Sequence, residues 1–261
     1  MKKFSFLLLC SLLCAAMSVH AQTYGPWDCG AQGDNVTAIL IDGTLTISGT
    51  GAMSNYSGLT NRPWHNVRGS VTVLVIEDGV TFIGNLMFQD CTALTSVTIG
   101  NSVTIIGSQV FNGCTSLTSV TIPNSITTIG EMMFQNCTSL RSVTIPNSVT
   151  SILPNAFTGC TALTKIILAD GTTTLTLSSS FSDNVEEVYL GRNVTRGTGS
   201  GIWALFGAGV KELTIGASVT SIVSQAFQNC ENLKIVIIED DGEPKEFERK
   251  DVSIVKRKII F

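Results

Sequence analysis

Cysteine, phenylalanine and leucine recur every 23 residues through the middle of this chain, and nothing else in it restricts the fold so tightly. Cys91, Cys114, Cys137 and Cys160 share one column, and Phe88, Phe111, Phe134 and Phe157 share another. Leu94, Leu117, Leu140 and Leu163 form a third, and Ile99, Ile122, Ile145 and Leu168 a fourth. So strict a period is the signature of a stacked-repeat solenoid, in which each window buries its apolar side only against its neighbours. One period upstream lie Val71, Leu74, Ile76, Val80 and Ile83, so the array starts near residue 71. Downstream the phenylalanine intervals loosen to 24, 25 and 21 residues at Phe181, Phe206 and Phe227. The count is about eight coils.

A period of 23 is too short for a propeller blade and lies within the leucine-rich-repeat range. In the unit C-T-S-L-T-S-V-T-I-P-N-S-I-T-T-I-G (residues 114–130), alternation predicts a short strand with Leu117, Val120 and Ile122 inward. Proline cannot donate to a ladder, so Pro123 and Pro146 should end their strands. Asn124-Ser125 turns the chain into a second extended piece with Ile126 and Ile129 inward. Gly84, Gly107 and Gly130 close that piece, at positions expected to need positive φ.

The flanks differ. Residues 1–21 read as a secretory signal peptide: Lys2-Lys3, an apolar run too short to span a bilayer, then Val19-His20-Ala21. Residues 22–70 are expected to cap the first coil, with a hairpin at Asp42-Gly43 and bulk from Tyr24, Trp27, Tyr56 and Trp64. The array proper covers residues 71–238, with a glycine-rich insertion at 196–209. Residues 239–261 form a charged C-terminal cap or linker whose ending, V-S-I-V-K-R-K-I-I-F, could complete a terminal hairpin.

Several function classes fall away. Without Lys2 and Lys3 the chain has 14 basic and 20 acidic residues, which is no footprint for nucleic acid or anionic membrane. No membrane span is expected after signal removal. Six cysteines remain, but equivalent positions on adjacent coils sit about 4.8 Å apart with parallel side chains, whereas disulfide Cβ atoms converge to about 3.8 Å. A column of buried free thiols is the expectation. There is no C-x-x-C pair and one mature histidine, His65, so no metal site is expected. His65 has no G-x-S-x-G nearby, Glu186 and Glu187 face opposite sides of a strand, and Asp240, Asp241 and Glu243 lack an ordered calcium pattern. Gly197, Gly199 and Gly201 lack the strand-to-helix context of a nucleotide fold. The reading is a non-enzyme without cofactors.

What remains is the outward face of the first strand of each coil. Its middle is a Ser/Thr ladder (Ser96, Thr98, Ser119, Thr121, Ser142, Thr144), read either as candidate ligand-binding residues of a contact surface or as a soluble face whose hydroxyls bond across strands. Its C-terminal half carries Lys165, Glu187, Tyr189 and Glu212, joined by Trp203 from the insertion, as the candidate ligand-binding patch.

The motif F-x-x-C-T-x-L-T-S-V-T-I-P-N-S-V-T-x-I resembles the leucine-rich repeats of the BspA-like family over residues 71–238. D-G-T-L-T-I-S-G-T-G-A-M (42–53), followed by Pro63-Trp64, looks like the leader that often accompanies these repeats. The resemblance implies a leucine-rich-repeat solenoid, secreted or on the cell surface of a host-associated bacterium. It further implies adhesin-like contact with an extracellular host or matrix protein, and no catalytic residues. The hydroxyl ladder and aromatic insertion keep an alternative open: a structural or carbohydrate-binding element of the cell envelope, with a glycan as partner. Leu153 in place of the repeat glycine, the stretched coils after Gly171 and the charged tail depart from the family pattern.

Overall fold

The computed structural model describes residues 21–56, 58–179, 181–197 and 205–239, and the backbone of 259–260. The signal-like residues 1–20, Trp203 with its neighbours 198–204, and Asp240, Asp241 and Glu243 lie outside the described residues.

The chain forms a mainly β solenoid of about seven turns. Each coil contributes one strand to a long ribbon and a shorter one to a second ribbon, then returns through a turn that carries its phenylalanine. On the long ribbon Val73–Ile76, Ser96–Ile99, Ser142–Ile145, Lys165–Leu168, Glu187–Leu190, Glu212–Ile215 and Ile235–Ile238 are strands, in parallel wherever they pair. Alternate residues point in: Leu74, Val97, Val143, Ile166, Val188, Leu213 and Val236 are all buried. The second ribbon runs Gly51–Ala52, Val80–Ile83 and Ile105–Ile106, then Thr128–Ile129, Ser151–Ile152, Leu175–Leu177 and Val194–Arg196.

One expected strand is missing. Residues 119–122 keep their alternation, with Val120 and Ile122 buried, yet they form no strand and no backbone hydrogen bond joins them to either neighbour among the described residues. The cause is a series of donors at the strand ends. Glu77, Gly100, Ala169, Gly191, Gly216 and Glu239 each donate an amide to a carbonyl at the end of the preceding strand, at 2.7–3.0 Å. At the two positions in between the residues are Pro123 and Pro146, which have no N–H. The strand that loses a rung on both sides is the one that dissolves.

Trp64 heads an aromatic column through Phe88, Phe111, Phe134, Phe157, Phe181, Phe206 and Phe227, with successive ring centroids 4.8–5.8 Å apart. These are favourable stacking distances, and the column crosses every change of period. The six described cysteines are free and buried, and the thiols of Cys114, Cys137 and Cys160 donate to the carbonyls of Phe88, Phe111 and Phe134 at 3.1–3.2 Å. Burial raises the thiols of Cys91 and Cys160 to about 12, so they act as small apolar side chains.

At the N-terminal end, Asp42 (φ 47) and Gly43 (φ 81) turn the hairpin between Thr37–Ile41 and Thr44–Ser48. Thr23–Asp28 pairs antiparallel on its outer side, and Thr44–Ser48 pairs in parallel with Val73–Ile76. The segment read as outside the repeat therefore supplies an additional coil, offset by 29 residues instead of 23. Buried Arg62 donates to the carbonyls of Leu86, Met87 and Gln89, and Trp64 Nε1 to Met87. These side chains supply donors that a preceding coil would otherwise bring.

Two expectations need correction. Gly84, Gly107 and Gly130 do not have positive φ; at Gly84 and Gly107 the close approach of a neighbouring coil excludes a side chain. A Cβ would lie 2.2 Å from the Ser54 carbonyl at Gly84 and 2.4 Å from Asn85 Oδ1 at Gly107. The ending does not reverse into an antiparallel hairpin either. Ile259–Ile260 pairs in parallel with Ile235–Ile238, in the register Val236↔Ile259, one 23-residue period on.

Candidate functional site

Because strand residues alternate, the outward face of the long ribbon is two columns of side chains, repeated coil by coil. After Val73 and Val75 in the first strand, both columns hold small hydroxyl residues through residue 144. Ser96, Thr98, Ser119, Thr121, Ser142 and Thr144 are all exposed, and none of their hydroxyls has a hydrogen-bond partner among the described residues. The expected bonds across strands are thus absent from this face. They form instead at its edge, where Thr95 Oγ1 donates to the Thr72 carbonyl at 2.9 Å and Thr118 Oγ1 to Thr95 at 3.3 Å. Mid-ribbon hydroxyls stand side by side and point to water, while edge threonines lie over a carbonyl with a spare lone pair.

In the later coils the same columns become larger and charged. The register Lys165↔Glu187↔Glu212 builds one, and Ile167↔Tyr189↔Thr214 the other. Together they line a shallow hollow of about 300 Å³ on the ribbon face. Lys165, Glu187, Tyr189 and Glu212, named from sequence, thus stand around one space.

The electrostatics follow from these neighbours. Lys165 Nζ lies 2.7 Å from Glu187 Oε2 with both side chains about half exposed, and this hydrogen bond is the main cause that raises the lysine's pKa. Tyr189 Oη lies 2.8 Å from Asp170 Oδ1 and 3.0 Å from Glu239 Oε2. One phenolic proton thus serves two carboxylates. Burial first, then hydrogen bonds to both acids, raises the phenol above its ordinary range. The Glu212 side chain makes no hydrogen bond or close ion pair among the described residues, and its charge acts on Lys165 from a distance.

Asp170 and Glu239 were not legible as part of this site. Asp170 sits in the turn after Lys165–Leu168, and Glu239 follows Ile235–Ile238 as the first residue of what reads as a charged tail. The sequence signal that could have found them is the rung position itself, since Glu239 donates its amide to the Ile215 carbonyl like its counterparts in other coils. Glu186, which faces away from Glu187, pairs with Lys211 at 2.5 Å. His65 begins the short 3₁₀ segment His65–Ser70 in the N-terminal region, far along the chain from the hollow. Among the described residues no group of three or more histidine, cysteine, aspartate or glutamate side chains is placed to hold a metal ion, and no helix is long and apolar enough to cross a membrane.

Comparison with known proteins bears on the repeat. The family described as BspA type leucine rich repeat region matches residues 65–186 and 203–245 in six copies. A comparison with curated proteins finds no match. Solved structures similar to the chain include a leucine-rich repeat protein from Eubacterium ventriosum, 20% identical over 83% of this chain and 84% of that one, with a TM-score of 0.47. The T. pallidum leucine rich repeat protein is 23% identical over 73% of this chain and 83% of that one (TM-score 0.44). A leucine rich cell surface protein from Faecalibacterium prausnitzii is 23% identical over 86% and 90% (TM-score 0.32). The family match, which covers more than half of the chain, carries the assignment; the structural likenesses are too distant to add to it.

Proposed function

This chain belongs to the BspA-type leucine-rich repeat family, and from that membership we propose that it is an exported, non-enzymatic protein-binding scaffold that makes adhesin-like contact with a host or extracellular-matrix protein. Repeat solenoids of this kind offer an extended surface for partners. The observation that supports a particular face is the gathering of Lys165, Glu187, Tyr189 and Glu212 around one hollow on the long ribbon, where residues 96–144 offer only small hydroxyls. A tyrosine flanked by charge is the composition of an interface anchor. Export rests on the signal-like residues 1–21, and intact mass of the secreted form should begin at Gln22.

The test is surface plasmon resonance of the chain over immobilised matrix and plasma proteins. Binding is expected, and Tyr189→Ala should weaken it about thirtyfold, the size of an anchor loss near 2 kcal/mol. If no such protein binds and cells lacking the chain adhere as before, the proposal is wrong. The Tyr189 ring beside Asp170 and Glu239 also favours a second reading, a glycan contact, which a glycan array separates from the first.

A further inference from the structure

We propose that the hollow beside Tyr189 receives an arginine side chain, carried on an extended basic segment of the protein partner. The inference rests on the reading of the ribbon as a protein-binding face and adds the chemistry of what docks there.

The argument starts from charge. Around the hollow and the Tyr189 hydroxyl stand four carboxylates, those of Glu187, Glu212, Asp170 and Glu239, and one ammonium, that of Lys165. Lys165 makes its close ion pair with Glu187, whereas Glu212, one strand further along the same column, is half-buried and interacts with Lys165 only at longer range, without a hydrogen bond of its own among the described residues. An anionic ligand would meet net repulsion here, and a cation is drawn in.

Shape and polarity then select the cation. Ile167, the Tyr189 ring and Thr214 form a wall of largely apolar character beside the acids. Beyond Glu212 in its column comes Ile235, 40% exposed and one of three large apolar side chains so exposed among the described residues. A guanidinium is planar, weakly hydrated, stacks on an aromatic face and grips a carboxylate with two parallel N–H groups, while its stem covers apolar surface. Set over Glu212, it finds the ring on one side and Ile235 under its stem. A lysine ammonium would match the charge without the stacking or the fork.

The ribbon also favours an extended partner. Within each strand the two outward columns stand about 6.6 Å apart, the same interval at which alternate residues of an extended chain recur on one side. Such a segment can lie along the flat face with one side chain in the hollow and its neighbours over adjoining columns.

The probe is a fluorescein-labelled (Thr-Arg)₅ peptide, titrated with the full chain by fluorescence anisotropy. Its controls are the same peptide with citrulline, which keeps the shape and removes the charge, and (Thr-Glu)₅. The arginine peptide should bind, the citrulline peptide at least about tenfold more weakly and the glutamate peptide not at all, with affinity falling as salt rises. Glu212→Gln, shown folded by circular dichroism, should weaken the arginine peptide about five- to tenfold, as for one charge-assisted hydrogen bond. Glu131→Gln, on an exposed turn away from the hollow, should leave it unchanged. Equal binding by wild type and Glu212→Gln, or by arginine and citrulline peptides, would overturn the inference. If the arginine peptide fails while a matrix protein still binds through Tyr189, the inference falls and the protein-binding reading stands. If neither binds, both fall.

Discussion

The two halves of this solenoid are tied together differently. In residues 71–160 the coils repeat at a constant 23 residues and carry an unbroken run of cysteines, yet both ribbons are interrupted there. The long ribbon opens around residues 119–122, and the short one between Ile105–Ile106 and Thr128–Ile129. The returning turns stay joined at that boundary, where Gln109, Phe111 and Gly113 donate to the carbonyls of Glu131, Met133 and Gln135 at 2.8–3.0 Å. Core residues in and before the opening, Val97, Ile99, Ile106, Val120 and Ile122, are 6–9% exposed, against 0–1% for Leu74 and Ile166, while Val143 on its far side is 1% exposed. In residues 165–238 the strand spacing wanders from 22 to 25 residues, but one ribbon runs without a gap from Ser142–Ile145 to Ile259–Ile260. Regular spacing decides which columns stack, while ladder continuity depends on a single donor per coil. The half with exact spacing spends that position on proline, and the half with loose spacing keeps an N–H.

The largest effect expected is common to both halves. Phe134→Ala and Phe206→Ala should each cost about 3–5 kcal/mol in urea unfolding, because each removes a ring stacked on both sides in a fully packed column. A cost below 1 kcal/mol in either half would mean that the column is not one core.

Arg192 comes next, because it ties one half to the other. Fully buried, it reaches from the stretched coils to donate to the carbonyls of Pro146, Asn147 and Val149 at 2.7–2.9 Å. Arg192→Met should cost about 2–4 kcal/mol by leaving buried acceptors without donors. It should also speed hydrogen exchange at Val149 and Thr150; unchanged exchange there would show that the clamp holds nothing.

Alkali should discriminate between the halves. Cys91 and Cys160 keep their protons to about 12 when folded, against a usual value of 9.0. Native stability is therefore intact below about pH 9 and falls as pH rises toward 12, by about 1.4 kcal/mol per pH unit for each such thiol. Four consecutive coils of the regular half carry a thiol, whereas Cys230 alone serves the stretched coils, so exchange monitored at pH 10.5 should open the regular half first. A urea midpoint that does not move between pH 8 and 10.5 contradicts this.

The smallest effect is the sharpest test of the proline account. Restoring an N–H with Pro123→Ala and Pro146→Ala should change stability by less than about 1 kcal/mol, since the added hydrogen bonds are offset by a freer unfolded chain. Exchange at Val120 and Ile122 should nevertheless slow as the missing strand forms. If those amides exchange as before, something other than the lost donors parts the ribbon.

Much of this was legible in the residues. Columns of Leu, Val, Ile, Phe and Cys at one interval specify stacking, because a coil too small to bury its own apolar side must share it. Alternation along Lys165–Leu168, Glu187–Leu190 and Glu212–Ile215 likewise shows which side chains face out. That Lys165, Glu187, Tyr189 and Glu212 enclose one hollow was less legible, since it depends on how coils of unequal length fall into register. Asp170 and Glu239 stayed hidden because their sequence separation of 69 residues says nothing about a shared phenol.

By itself, then, the sequence determined a solenoid, its buried columns and its outward ribbon, because these follow from spacing and alternation, which are local and periodic. Tertiary structure alone decided where the ladder breaks, how the N-terminal segment becomes an additional coil and which acids gather around Tyr189. Each of these depends on a donor, a carbonyl or a carboxylate delivered from another turn of the coil, and that delivery exists only once the turns are stacked.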